Sequence, residues 1–128
     1  MKLLLDTHIF LWFISGDKKL AVALREAIRD PQNEVFLSVV SLWEIIIKHQ
    51  LGHMPLPQPP EIYVPIQRKR FFIASLPVDE GSVFQVAKLP RLHRDPFDRL
   101  LIAQAIEHGL ILVTVDTAIR AYPTAPIL

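Results

Sequence analysis

The feature that most constrains this chain is a set of short apolar runs without polar alternation, separated by longer stretches of helical periodicity. The runs are Lys2–Leu5, Val35–Leu37, Phe71–Leu76 and Leu110–Val115. A strand that is apolar throughout is buried on both faces, as in a parallel sheet covered by helices. The intervening segments predict helices over 9–14, 19–29, 41–51, 61–70 and 79–89. A sixth, opened by Asp95-Pro96, runs to His108 and stops at Gly109, and a short one follows Asp116. Strands alternating with helices give an α/β fold class with a parallel sheet. Pro126 to Leu128 reads as a last edge strand.

A chain of 128 residues, half of them apolar (51%) and a fifth charged (21%), can bury a sizeable core as one domain, 1–128. The one compositional break, Gly52 to Pro60 with four prolines, is short enough to be a loop within that domain. There is no cysteine, which excludes disulfides, a thiol nucleophile and cysteine-ligated zinc. Met1-Lys2 before Leu3-Leu4-Leu5 resembles the start of a signal peptide, but Asp6 and His8 interrupt it at once. A soluble, untargeted, cytoplasmic protein with no membrane segment is expected. The net charge is only +1, so any pull on nucleic acid must be local. Arg68-Lys69-Arg70 and the group Arg91, Arg94 and Arg99 are the places that supply it.

Functional groups of open parallel sheets gather beyond the carboxyl ends of the strands. Asp6 closes the first predicted strand, and Glu44 lies in the first turn of the helix after the second. Asp98 begins the long helix near the C-terminus, and Asp116 closes the last main strand. Carboxylates brought together repel unless a cation neutralises them, and hard oxygen donors suit Mg²⁺ or Mn²⁺. Such an ion acidifies a bound water and stabilises charge on a phosphodiester under attack, so the pattern points to phosphodiester hydrolysis. Each acid also has a local explanation. Asp6 can start a turn, Ser41 to Glu44 has the pattern of a capping box, and Asp95 is a natural N-cap. Asp98 stands near the positive end of a helix dipole, and Asp116 can cap the helix that follows. Thr7 and Ser41 carry hydroxyls beside the acids and serve equally as caps or as partners of a carboxylate or metal-bound water. The five histidines show no paired metal-ligand spacing, and only His93 stands near the acids. Trp12 and Trp43 read as core or interface residues rather than base-stacking platforms.

Leu3-Leu4-Leu5-Asp6-Thr7-His8 resembles the opening motif of PIN domains, and Ser41-Leu42-Trp43-Glu44-Ile45 their second acidic motif. The third and most specific is His93 to Ala105, HRDPFDRLLIAQA, worded as in VapC-like toxins; Val113-Thr114-Val115-Asp116 resembles the fourth. The resemblance implies a three-layer α/β/α sandwich around a parallel sheet and an Mg²⁺- or Mn²⁺-dependent endoribonuclease. It places Asp6, Glu44, Asp98 and Asp116 at the family's acidic positions, with Asp6 and Asp98 as direct metal ligands, Glu44 next and Asp116 acting through water. Thr7, Ser41, Asp95, Arg99 and Thr114 stand beside them as supporting residues. It further implies an RNA substrate, a homodimer and an antitoxin that blocks the site. Rival readings are a non-catalytic module whose acids receive a basic partner segment, an aspartyl-phosphate phosphatase and a phosphoacceptor domain. His8, where a second Asp would stand, argues against the phosphatase. The absence of an acidic pair before the first strand and of a conspicuous lysine after the last argues against the phosphoacceptor.

Overall fold

The computed structural model describes residues 1–122 and 127–128. In chain order the elements are β1 (Lys2–Leu5), α1 (Thr7–Ser15), α2 (Val22–Arg29), β2 (Glu34–Ser38), α3 (Val39–Gln50) and α4 (Pro60–Arg70). Then come β3 (Ile73–Leu76), α5 (Glu80–Val86), α6 (Pro96–His108), β4 (Ile111–Val113) and α7 (Thr117–Arg120). The four strands form one sheet in the order β3-β2-β1-β4, and every pairing is parallel. Successive strand residues point to opposite faces, and both faces are buried. Leu3, Leu5, Val35, Leu37 and Ile73 pack with Ile9, Phe10, Phe13, Ile28, Ile45 and Val64 of α1 to α4. Leu4 and Leu112 pack on the other side with Leu101, Ile102, Ala105 and Ile119 of α6 and α7. The result is the expected α/β/α sandwich. Leu3, Leu4 and Leu5 are each 0% exposed, so each contributes about 1.5–3 kcal/mol of burial.

The element boundaries move for local reasons. α2 starts at Val22 rather than Lys19 because Asp17 turns the chain first: its side chain accepts from Lys19 N (2.9 Å) and its carbonyl from Leu20 N (3.2 Å). β3 starts at Ile73 because α4 ends at Arg70 and Phe72 takes a left-handed φ of 57°. α3 is capped by Ser38, which accepts from Val40 N, so Ser41 is not the cap and the capping-box reading of Ser41 to Glu44 fails. Glu44 therefore lies in the second turn, not the first. β4 is three residues long and ends at Val113, so Asp116 does not close it. α6 matches its prediction, with Asp95 as N-cap, Pro96 in the first turn and Gly109 in the left-handed region as C-cap. At the chain's end Ile127 makes a single parallel bridge to Leu112, and Leu128 N donates to Leu112 O. Pro126, the start of the expected edge strand, lies outside the described residues. Trp43 is 58% exposed and meets Phe97 edge-on, so of its two expected places, core or interface, the core is ruled out.

Candidate metal centre

After β1 the chain moves to β2 on one side, whereas β4 lies on the other, so crossovers leave in opposite directions between β1 and β4. A crevice at the carboxyl ends of the strands is the usual outcome. Asp6 leaves β1 there, its N–H donating to Val113 O (3.0 Å) and thus tying the ends of β1 and β4 together. Its carboxylate accepts from Thr7 N (2.7 Å) and from the Thr114 hydroxyl (2.8 Å), while Thr114 accepts from Asp116 N (3.0 Å). Asp6 is buried, and burial pushes its carboxyl above the ordinary value against the pull of those two hydrogen bonds.

Glu44 reaches the same region from α3. Its Oε1 lies 2.7 Å from Thr7 Oγ1, and its Oε2 lies 2.8 Å from Lys48 Nζ one turn further on. Thr7 Oγ1 is also 2.9 Å from Ser41 Oγ, so Ser41, Thr7 and Glu44 form one buried chain from α3 to α1. With a single proton to give, Thr7 satisfies the carboxylate and Ser41 supports Thr7. Both Glu44 oxygens are engaged inside the protein.

Asp98 is buried in the first turn of α6, and its Oδ2 lies 2.7 Å from His93 Nε2. Burial raises its carboxyl to about 6; His93 opposes the rise, and the charges of Asp95, Asp6 and Asp116 reinforce it. Asp95 spends Oδ1 on Phe97 N (2.9 Å) and Asp98 N (3.2 Å). Among the described residues, His93, Asp95 and Asp98 offer three ligating atoms within 4.8 Å of one another. Asp116 is exposed and caps α7 through Ala118 N (2.8 Å), and it reaches the other acids only through its charge, which acts on Asp98. Arg99 turns away to the backbone, donating to Pro90 O (3.0 Å), Val86 O (3.3 Å) and Tyr122 Oη (3.1 Å).

Sequence reasoning missed Lys48 on Glu44, which was legible as a Glu–Lys pair spaced for one helix face. It singled out His93 as the histidine near the acids, but not its bond to Asp98, which joins a loop to a helix and has no periodic signal. Hard oxygens from Asp6 and Asp98, both driven by burial toward protonation unless a cation neutralises them, fit a divalent ion. His93 adds a nitrogen donor that suits Mn²⁺ better than Mg²⁺.

The family profile of the PIN domain matches residues 3–124, all four acids included. The chain belongs to the PIN domain family. Ribonuclease VapC22 of Mycobacterium tuberculosis is 28% identical over 120 residues, covering 93% of this chain and 90% of the relative. Ribonuclease VapC16 of the same organism is 40% identical over 57 residues, a match that spans 44% of this chain but only 40% of that relative's length. Among solved structures, VapBC2 of Rickettsia felis bound to a promoter DNA fragment superposes with a TM-score of 0.75 at 17% identity, covering 100% of this chain and 98% of the other. VapBC from Salmonella typhimurium, also DNA-bound, gives a TM-score of 0.68 at 18% identity, covering 100% and 97%. These structures share the fold of this chain.

Proposed function

We propose that this PIN domain is a divalent-metal-dependent endoribonuclease and the toxin half of a toxin–antitoxin pair, acting as a homodimer held in check by an antitoxin. The observation that carries the chemistry is a set of buried carboxylates, Asp6 at the end of β1 and Asp98 in the first turn of α6, with the Asp6 charge acting on Asp98 and with His93 and Asp95 offering ligating atoms beside Asp98. Relatives named ribonuclease support the substrate class, and similarity to VapBC complexes supports the antitoxin. When bound, Mg²⁺ or Mn²⁺ would supply an acidified water and neutralise charge on the phosphate under attack. Asp6 and Asp98 would hold the ion directly, with Asp116 acting through water. Thr7 and Thr114 fix the Asp6 carboxylate in one orientation, and the Ser41–Thr7 chain and Lys48 hold Glu44 beside it. Glu44 would add negative charge beside the ion rather than ligate it, because both of its oxygens already have partners.

Lys48 on Glu44 is also a specific point in favour of a second reading, a non-catalytic module that receives basic side chains among its acids. The deciding experiment incubates purified protein with a pool of tRNA, rRNA and mRNA in Mg²⁺, Mn²⁺ or EDTA, beside Asp6→Asn. Discrete cuts that require metal and vanish in the variant are expected. Absence of cuts in either metal, from folded protein free of antitoxin, favours the binding module.

A further inference from the structure

An acidic crevice that works on a polyanion needs positive charge beside it, and a net charge of +1 does not supply that globally. The structure places such charge next to Asp98. A cavity of about 440 Å³ is lined by Arg91, His93, Arg94 and Arg99 and by no acid. Three guanidiniums facing one space repel one another, and an anion relieves the repulsion. Their roles divide. Arg99 spends its donors on Pro90 O, Val86 O and Tyr122 Oη, which pins the loop that carries the others. Arg91 and Arg94 are exposed, and among the described residues neither makes an ion pair or a side-chain hydrogen bond. His93 sits between this cavity and the acids, with Nε2 on Asp98. The other basic run, Arg68 to Arg70, ends α4 and leads into the start of β3, so it lies toward the opposite end of the parallel sheet.

We propose that Arg91 and Arg94 form a phosphate subsite that seats the RNA backbone next to the scissile bond, with Arg99 as its scaffold. This rests on the ribonuclease reading for the identity of the polyanion. Two phosphate contacts on a single strand give a salt slope of about 1.4 in log–log form, or about twenty-five-fold in affinity at 0.1 M salt.

The test measures binding of a fluorescein-labelled single-stranded RNA by anisotropy in EDTA across a KCl series, and cleavage in Mg²⁺ or Mn²⁺. It compares wild type, Arg91→Ala/Arg94→Ala and a control, Lys69→Ala/Arg70→Ala. The expected result is a slope smaller by about 1.4 and affinity about twenty-five-fold weaker in the first variant alone, with KM raised by a similar factor and kcat nearly unchanged. A wild-type isotherm no tighter than that variant's, or equal losses in the control, overturns the subsite. RNA binding that depends on the two arginines without any cleavage would retain the subsite and refute the nuclease. Normal cleavage with unchanged KM and slope would do the reverse.

Discussion

Replacing Asp98 by Asn should abolish metal-dependent cleavage while making the metal-free fold more stable. Burial, chiefly, raises this carboxyl from 3.8 to about 6. A group that binds its proton more tightly when folded contributes stability that is complete below its unfolded value and is lost as pH rises through its folded value. Here the loss runs from near pH 4 to just above pH 6. At about 1.4 kcal/mol per pH unit, ionised Asp98 costs the metal-free fold about 3 kcal/mol at pH 7.5, or about 1–3 kcal/mol once rim solvent is allowed for. For a chain of this length that corresponds to about 4–11 °C in Tm. Asn keeps the shape and can still hydrogen-bond His93 without carrying the charge. Thermal unfolding followed by circular dichroism in EDTA should therefore show Asp98→Asn melting higher than wild type at pH 7.5. The gap should shrink by more than half at pH 4.5, where the wild-type carboxyl is already protonated in the fold. Adding Mg²⁺ should raise the wild-type Tm and leave the variant's unchanged. A variant that melts at or below the wild-type temperature at pH 7.5 in EDTA would refute the account of Asp98 as a strained carboxylate awaiting a cation.

Thr7→Val should leave Glu44 Oε1 buried without its donor and cost about 1–3 kcal/mol in urea unfolding, whereas Thr7→Ser should restore most of it. An unchanged midpoint in Thr7→Val would mean that water replaces the hydroxyl. Ser38→Ala removes both the cap of α3 and the 2.6 Å bond to the buried Gln104 Oε1. A loss of about 1–2 kcal/mol is expected, with the affinity for Mn²⁺, read by calorimetry, unchanged.

What a residue does through its immediate neighbours was legible before any coordinates. The apolar runs set a doubly covered parallel sheet because buried backbone needs strand partners and buried side chains need cover on both faces. Asp95-Pro96 and Gly109 bounded α6 to the residue, because Pro fixes φ and only a left-handed C-cap closes the last turn cheaply. Asp6 and Asp98 could be singled out as candidates from their places at element ends, whereas Glu44 was singled out from a first-turn position that it does not occupy.

Tertiary structure alone decided which groups meet. Ser38, not Ser41, caps α3, because β2 runs straight into that helix and the first free N–H groups fall one turn earlier than the sequence pattern suggests. That shift frees Ser41 to join Thr7 across the interface between α1 and α3. Arg99 is one residue from Asp98 in sequence yet is spent on the backbone of the preceding loop, whereas His93, five residues before Asp98, lies against it. Hydrogen bonds and charge act over a few ångströms of space, and only the folding of the loop ahead of α6 determines which sequence neighbours become spatial ones.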